Sequence, residues 1–578
     1  MVLKCVDSRI AAVVAMVLCG AGAIAQSVET SRITQAVDNT RRLALAGNVH
    51  PKAVAAALAG NDLGRVAPSL EIPYITLSLA PSAKQQADLE KLLLEQQTPG
   101  SPRYHQWLTP EEFGQSFGVS DDDLAKVTRW LQEQGLQVLS VARGRQWIAA
   151  RGTAAQLEAA FQTEIHQYLA DGETHFANAS APSVPAAFGS VVTGVRGLND
   201  FHPKPHLRAS PAKSLSSNTA KYNSTYCDEN CLAPDDFATI YDVTPLYSAG
   251  INGAGQKIAI AGQIEVNLSD IEQFRSMFNL PANDPETLLV PGSQSPGNSN
   301  SGDLAESDLD LEWSGAVARN ATIIFVYSND VMTSVQYAID QKLAAVVSVS
   351  YGSCEPETAA SEYNAFVQWG QQANAQGMTW FAASGDDGAA DCNDNQNPGL
   401  AVDLPGSTPY VTSVGGTEFM EGAGIYWSAT DNANGASALS YIPEMTWNDS
   451  VADGEPSASG GGGRTEAATN TAGGGAMLGV TPSGRSGRVA AAASALSGSS
   501  GSVSVGAAFR SGGGAAAWPG SSVLRTCNRI CVPLNPVTWA VNKSPGARFG
   551  GNAAATRLPR MLIRSVSPFE GSTCAVTT

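Results

Sequence analysis

Lys257-Ile-Ala-Ile-Ala261, Ala321-Thr-Ile-Ile-Phe-Val-Tyr327, Ala344-Ala-Val-Val-Ser-Val-Ser350 and Thr379-Trp-Phe-Ala-Ala383 are four short apolar runs with stretches of helical spacing between them. A short run that is apolar on both of its faces reads as a strand covered on both sides. Strands that alternate with helices predict an α/β unit with a parallel, doubly wound sheet. The carboxyl ends of such strands are where a doubly wound sheet keeps its chemistry.

Outward from these strands the chain divides into segments. Residues 33–205 form an α+β unit: helical spacing at 82–97, 121–134 and 154–161 alternates with strand patterns at 136–141 and 146–150. His202 to Ser217 is rich in Pro, Lys and Ser, and residues 206–231 read as a linker. The doubly wound unit then occupies 232–460. A final tract, 461–578, is a Gly/Ala/Ser-rich tail with no sustained period of 3.6 or 2.

Residues 1–25 read as a signal peptide. Lys4 and Arg9 supply a positive start, Ile10 to Leu18 an apolar run, and Ala23-Ile-Ala25 a small-residue cleavage site. The run is well under the ~20 residues a membrane span needs. Secretion is the expectation, and in an oxidising compartment Cys227, Cys231, Cys354 and Cys392 form an even set suited to disulfides.

The formal charge of the 578 residues is −18, which argues against a nucleic-acid partner or a polybasic membrane surface. Its distribution is uneven. Residues 464–578 hold eleven Lys or Arg, ten of them Arg, against Glu466 and Glu570, so this tract carries +9 and the rest −27. The tract has no Asp, His, Tyr or Gln. Such an abrupt change suits an out-of-frame ending better than a linker.

All six histidines precede residue 207. A Ser-His-Asp triad or a His-based zinc site in the second unit is excluded by composition, which leaves proton transfer to carboxylates. Asp303-Leu-Ala-Glu306-Ser-Asp-Leu-Asp310-Leu-Glu312-Trp313 reads as a helix. Glu306 and Asp310 stand one turn apart on one face, Cβ atoms roughly 5–6 Å from each other. Two like charges so placed are eased by sharing one proton. Asp386 lies in Ser384-Gly-Asp-Asp-Gly388, a small-residue turn after the strand 379–383.

These motifs resemble a known family. Tyr104-His-Gln-Trp-Leu-Thr109, Phe113, Phe117 and Pro182 to Phe201 look like the pro-kumamolisin activation domain. Glu306-x-x-x-Asp310, Ser348-Val-Ser-Tyr-Gly352, Ala383-Ser-Gly-Asp386, Pro409 to Thr417 and Ile442 to Asn448 look like the catalytic domain of the sedolisins, the serine-carboxyl peptidases.

The resemblance implies a subtilisin-like fold and an acid-acting, secreted peptidase made as a zymogen. Its partners would be protein or peptide substrates and its own pro-domain. Both endopeptidase and tripeptidyl-peptidase activity occur in the family. The resemblance gives Glu306 the role of general base towards a nucleophilic serine. Asp310 would orient Glu306 and share its proton, and Asp386, protonated, would donate to the oxyanion. Ser350, Tyr351 and Gly352 would line the substrate cleft. A carboxylate base and a carboxylic-acid donor act together only in acid.

The family also carries Gly-Thr-Ser with the nucleophile, and a calcium site near its C-terminus. Gly-Thr-Ser occurs nowhere in this chain, and its last Asp is Asp453. The expectation is a peptidase precursor inactive as it stands, with no metal site found. The alternative is a non-catalytic peptide-binding remnant.

Overall fold

The computed structural model describes residues 30–205, 232–392, 400–448, 459–461, 539–542 and 560–566. The expected signal peptide, the 206–231 linker, Cys227 and Cys231, and most of the tail lie outside the described residues.

The first unit runs through α1 (Pro51–Leu58), β1 (Glu71–Leu79), α2 (Ala83–Gln97), α3 (Pro110–Phe117), α4 (Asp121–Glu133), β2 (Gln137–Val141), β3 (Trp147–Thr153), α5 (Ala154–Phe161), β4 (Ile165–Ala170), β5 (Glu173–Asn178) and β6 (Val192–Arg196). The helices start where the sequence provides caps. Ser82, Thr109 and Thr153 each accept a backbone N–H, and Gln85, Glu112 and Gln156 reach back to form capping boxes. An antiparallel sheet of order β2-β3-β1-β6 packs on α4 and α5, with Trp130 edge-on to Phe161 and Phe188. That is the α+β arrangement the patterns predict.

Past β6 the chain continues as an extended arm, and Lys204–Pro205 form a two-residue strand, β7. The Pro/Lys/Ser composition of 202–217 reads as a linker, yet residues 202–205 are held. Their order comes from a partner strand in the second unit.

That unit is mixed α/β. Its elements are α6 (Pro234–Ile240), β8 (Lys257–Gly262), α7 (Leu268–Met277), β9 (Glu286–Leu289), α8 (Ser301–Val317), β10 (Thr322–Tyr327), α9 (Val331–Gln341), β11 (Val346–Val349), β12 (Tyr351–Cys354), α10 (Ala360–Ala375), β13 (Thr379–Ala383), β14 (Asp403–Leu404), β15 (Thr412–Phe419) and β16 (Glu444–Thr446). Strands pair in parallel in the order β9-β10-β8-β11-β13-β15.

Alternate residues of each strand face opposite ways. Ala259, Ala261, Ile324, Val326, Val347, Val349 and Trp380 join the side of α9 and α10. Ile258, Ile260, Ile323 and Phe325 pack with Ile271 of α7 and Leu311 of α8 on the other. Burial on both faces explains why these strands read as unbroken apolar runs. At the far edge β17 (Trp539–Asn542) and β18 (Arg560–Val566) pair antiparallel, β18 against β15. They fall in the tract whose sequence shows no sustained period.

Candidate active site

The site is built where β11 and β13 end. Asn300 caps α8 by accepting the amides of Gly302 and Asp303, and the helix then carries Glu306 and Asp310 against the sheet. Both are buried, Glu306 completely. Ser350 follows the last residue of β11, and its hydroxyl donates to Asp310 Oδ1 at 3.0 Å. Tyr351, also fully buried, reaches the carbonyl of Asp303 at 3.4 Å. Burial pushes the Tyr351 phenol well above its usual range, and the Asp303 and Glu306 charges push the same way.

Asp386 is buried and enters from the neighbouring strand end, three residues after β13. Gly385 before it takes φ +88°, a left-handed backbone that favours glycine. The turn is held from a distant segment. The Ser459 amide donates to the Asp386 carbonyl at 3.0 Å and the Gly461 amide to the Gly385 carbonyl at 2.9 Å. The structure thus joins Asp310 to Ser350 directly and sets Asp386 on the adjacent strand end.

Ser350, Tyr351 and Gly352 lead into β12, which runs antiparallel between β7 and β14. A Cβ on Gly352 would stand 1.9 Å from Asp403 Oδ1, so only glycine fits beside that carboxylate. On its other edge Lys204 pairs with Gly352 and Pro205 with Tyr351. The arm therefore lies along β12 as a peptide would.

Gln263, missed by the sequence reading, and Asp303, read only as part of the acidic helix, extend the site. Gln263, directly after β8, donates from Nε2 to the Pro203 carbonyl at 2.9 Å and to Asp303 Oδ1 at 3.2 Å. Its Oε1 accepts from the Val331 amide, which fixes its orientation. Asp303 is buried, and burial raises its pKa. The signal for Gln263 was its place at a strand's carboxyl end.

The two units meet over α9 and α10. Arg196 of β6 is buried and pairs with Asp330, with the Thr333 hydroxyl at 3.0 Å and with Glu362 at 3.5 Å. Burial pushes Glu362 up to about 6. The Arg143 and Gly144 amides donate to Asp340 at 2.9 and 2.8 Å. Lys52 pairs with Glu357 at 2.8 Å.

Cys354 and Cys392 form a disulfide. Among the described residues the one cluster of possible metal ligands is Cys354, Glu357 and Cys392. Two of the three are bonded to each other.

A family model described as the pro-kumamolisin activation domain matches residues 59–201. Sedolisin of Pseudomonas sp. (strain 101) is 28% identical over 414 residues, covering 68% of this chain and 65% of that protein. Xanthomonalisin of Xanthomonas sp. (strain T-22) is 29% identical over 388 residues, covering 59% of this chain and 45% of the relative. The chain thus spans less than two thirds of either. The solved structure of Pseudomonas sedolisin, a serine-carboxyl proteinase complexed with pseudo-iodotyrostatin, matches with TM-score 0.29 and 23% identity. That match covers 40% of this chain and 69% of the other.

Proposed function

Because the chain belongs to the sedolisin family of peptidases, we propose that it is the precursor of a secreted, acid-acting serine-carboxyl peptidase with a doubly wound, subtilisin-like catalytic unit. The pairing of Lys204–Pro205 with Tyr351–Gly352 carries this reading, because a strand that holds one extended peptide along its edge can hold another. In the precursor the occupant is the protein's own arm, which keeps substrate out.

Glu306 acts as general base and Asp310 orients it, itself steadied by Ser350. Asp386, protonated, donates to the oxyanion. A buried carboxylate pair beside a carboxylic-acid donor works only in acid, which sets the pH range. Tyr351 and Gly352 bind the substrate main chain after the arm leaves.

The covalent step needs a nucleophile that the chain does not hold in the family's Gly-Thr-Ser setting. The chain as it stands is therefore inactive, its ending from about 460 onward out of frame. Nor do the described residues fit the family's calcium chemistry. Calcium takes six to eight oxygens, whereas the described cluster offers one carboxylate beside a disulfide. The tract after 463 has no Asp.

The test is a repaired chain. Reading the gene in its other frames beyond codon 460 should recover Gly-Thr-Ser and an acidic calcium loop. The repaired protein should hydrolyse denatured protein near pH 4 and lose this with Glu306→Gln. Neither motif in either frame, or activity indifferent to Glu306, would refute the proposal.

A further inference from the structure

Of the six histidines, all in the first part of the chain, His50, His175 and His202 gather where the arm leaves the first unit. Phe201 is sandwiched there. Its ring lies 4.5 Å from the His50 imidazole at 15° and 4.4 Å from that of His175 at 25°. His50 is buried and is the N-cap of α1, its Nδ1 accepting from the Lys52 amide at 3.3 Å. That bond requires Nδ1 to carry a lone pair rather than a proton. Two residues beyond Phe201, the Pro203 carbonyl meets Gln263, and β7 follows. The stack is the root of the arm.

We propose that His50 is an acid-sensitive clasp: a proton on its Nδ1 breaks the cap, opens the stack on Phe201 and frees residues 201–205 from the strand Tyr351–Cys354. The inference rests on the reading of the arm as occupant of the substrate strand.

Among the described residues, the charged groups that act on His50 are cations, and they disfavour a proton on it. Lys52 stands on its own helix, His175 on β5, His202 on the arm, and Arg196 on β6. The carboxylates around it are engaged elsewhere: Asp330 and Glu362 with Arg196, Asp200 with His175, Glu357 and Asp171 with Lys52. Glu173 lies beyond His175, at 3.9 Å from it. His50, Arg196, Phe201, His202, Asp330 and Glu362 line a cavity of about 20 Å³, room for about one water. That cannot hydrate a cation.

Burial, then Lys52, His175 and His202, push the His50 imidazole down to about 3. A released imidazole titrates near 6.5, so the open arm binds the extra proton throughout this window, and closure weakens as pH falls through it. His175 has the opposite sign. Asp200 raises its pKa, so its protonation favours the closed stack, and it is not the trigger.

Hydrogen exchange of segments 200–205 and 350–354 in the full chain, corrected for the intrinsic effect of pH, tests this. The opening constant should rise about tenfold per pH unit between 6 and 4.5. His50→Asn keeps a cap acceptor that cannot be protonated, and should remove the slope. His166→Gln, at an exposed ion pair with Asp62, should keep it. An equal slope in His50→Asn overturns the clasp and leaves the arm reading standing. No acid opening in the wild type overturns the clasp as well. The arm reading itself fails if 350–354 exchange at pH 7.5 no more slowly than in a chain with residues 203–205 replaced by Gly-Ser-Gly. Should His50→Asn lose core protection at 147–150, the wild-type imidazole titration decides. A midpoint below 5 supports the clasp, and one at 5 or above overturns it.

Discussion

Arg196→Met removes the guanidinium that ties the first unit to the second while keeping a stem of similar length. The guanidinium pairs with Asp330 and Glu362, bonds Thr333 and lies 5.7 Å over the Trp369 ring. Its side chain is 8% exposed and those of its partners 15% and 18%, so solvent screens the cluster weakly. Removing one member of a buried ionic cluster costs about 3–5 kcal/mol, because the carboxylates left behind stay desolvated. At about 1.4 kcal/mol per decade, opening of the two units at pH 7.5 should rise at least a hundredfold.

The cost should shrink at pH 5. There Glu362, already pushed up to about 6, takes a proton and no longer opposes Asp330. The assay is native-state hydrogen exchange of the Met332 and Thr333 amides in the first turn of α9. A loss under about 1 kcal/mol, or a larger loss at pH 5 than at 7.5, would refute the reasoning.

Three further outcomes follow from the same contacts. Glu362→Gln should stabilise the interface at neutral pH by up to about 2 kcal/mol, since a carboxyl raised from 4.5 to about 6 by burial opposes folding once ionised; chemical denaturation at pH 7.5 and 4.5 should show the gain only at the former. Asp123→Ala should cost about 2–4 kcal/mol, because the buried carboxylate accepts from the Arg32 and Ile33 amides and the Ser31 and Ser120 hydroxyls; these bonds hold its pKa down despite burial, so the contribution is present above about pH 4 and lost below, and a pH series of melts checks it. Met420, Ile425, Leu439, Tyr441 and Met445 are exposed large apolar residues within one stretch, so the chain should bind a hydrophobic dye; a sharp cooperative melt without dye binding would count against this.

Much of the fold was legible because its signals are local. The runs at 257–261 and 379–383 are strands since both faces are covered, and Ser82 and Thr153 start helices with their own side chains. The arm was not legible. Lys204-Pro205 has no strand propensity, and Tyr351–Gly352 supply its pairing. The acidic helix was readable from the spacing of Glu306 and Asp310, but the Ser350–Asp310 bond joins residues forty positions apart and depends on sheet order. The histidines showed what the second unit lacks. That two of them clamp Phe201 became visible only once β5, α1 and the arm were brought together.

The most direct test of the central claim is a shift of the purified full chain to about pH 4. Mass would follow loss of the first unit, and a denatured protein substrate would report hydrolysis. The proposed reading, a peptidase precursor without its nucleophile, predicts an intact mass and no hydrolysis even after the arm opens. Self-processing that Glu306→Gln abolishes would show that another serine serves, and would contradict the account.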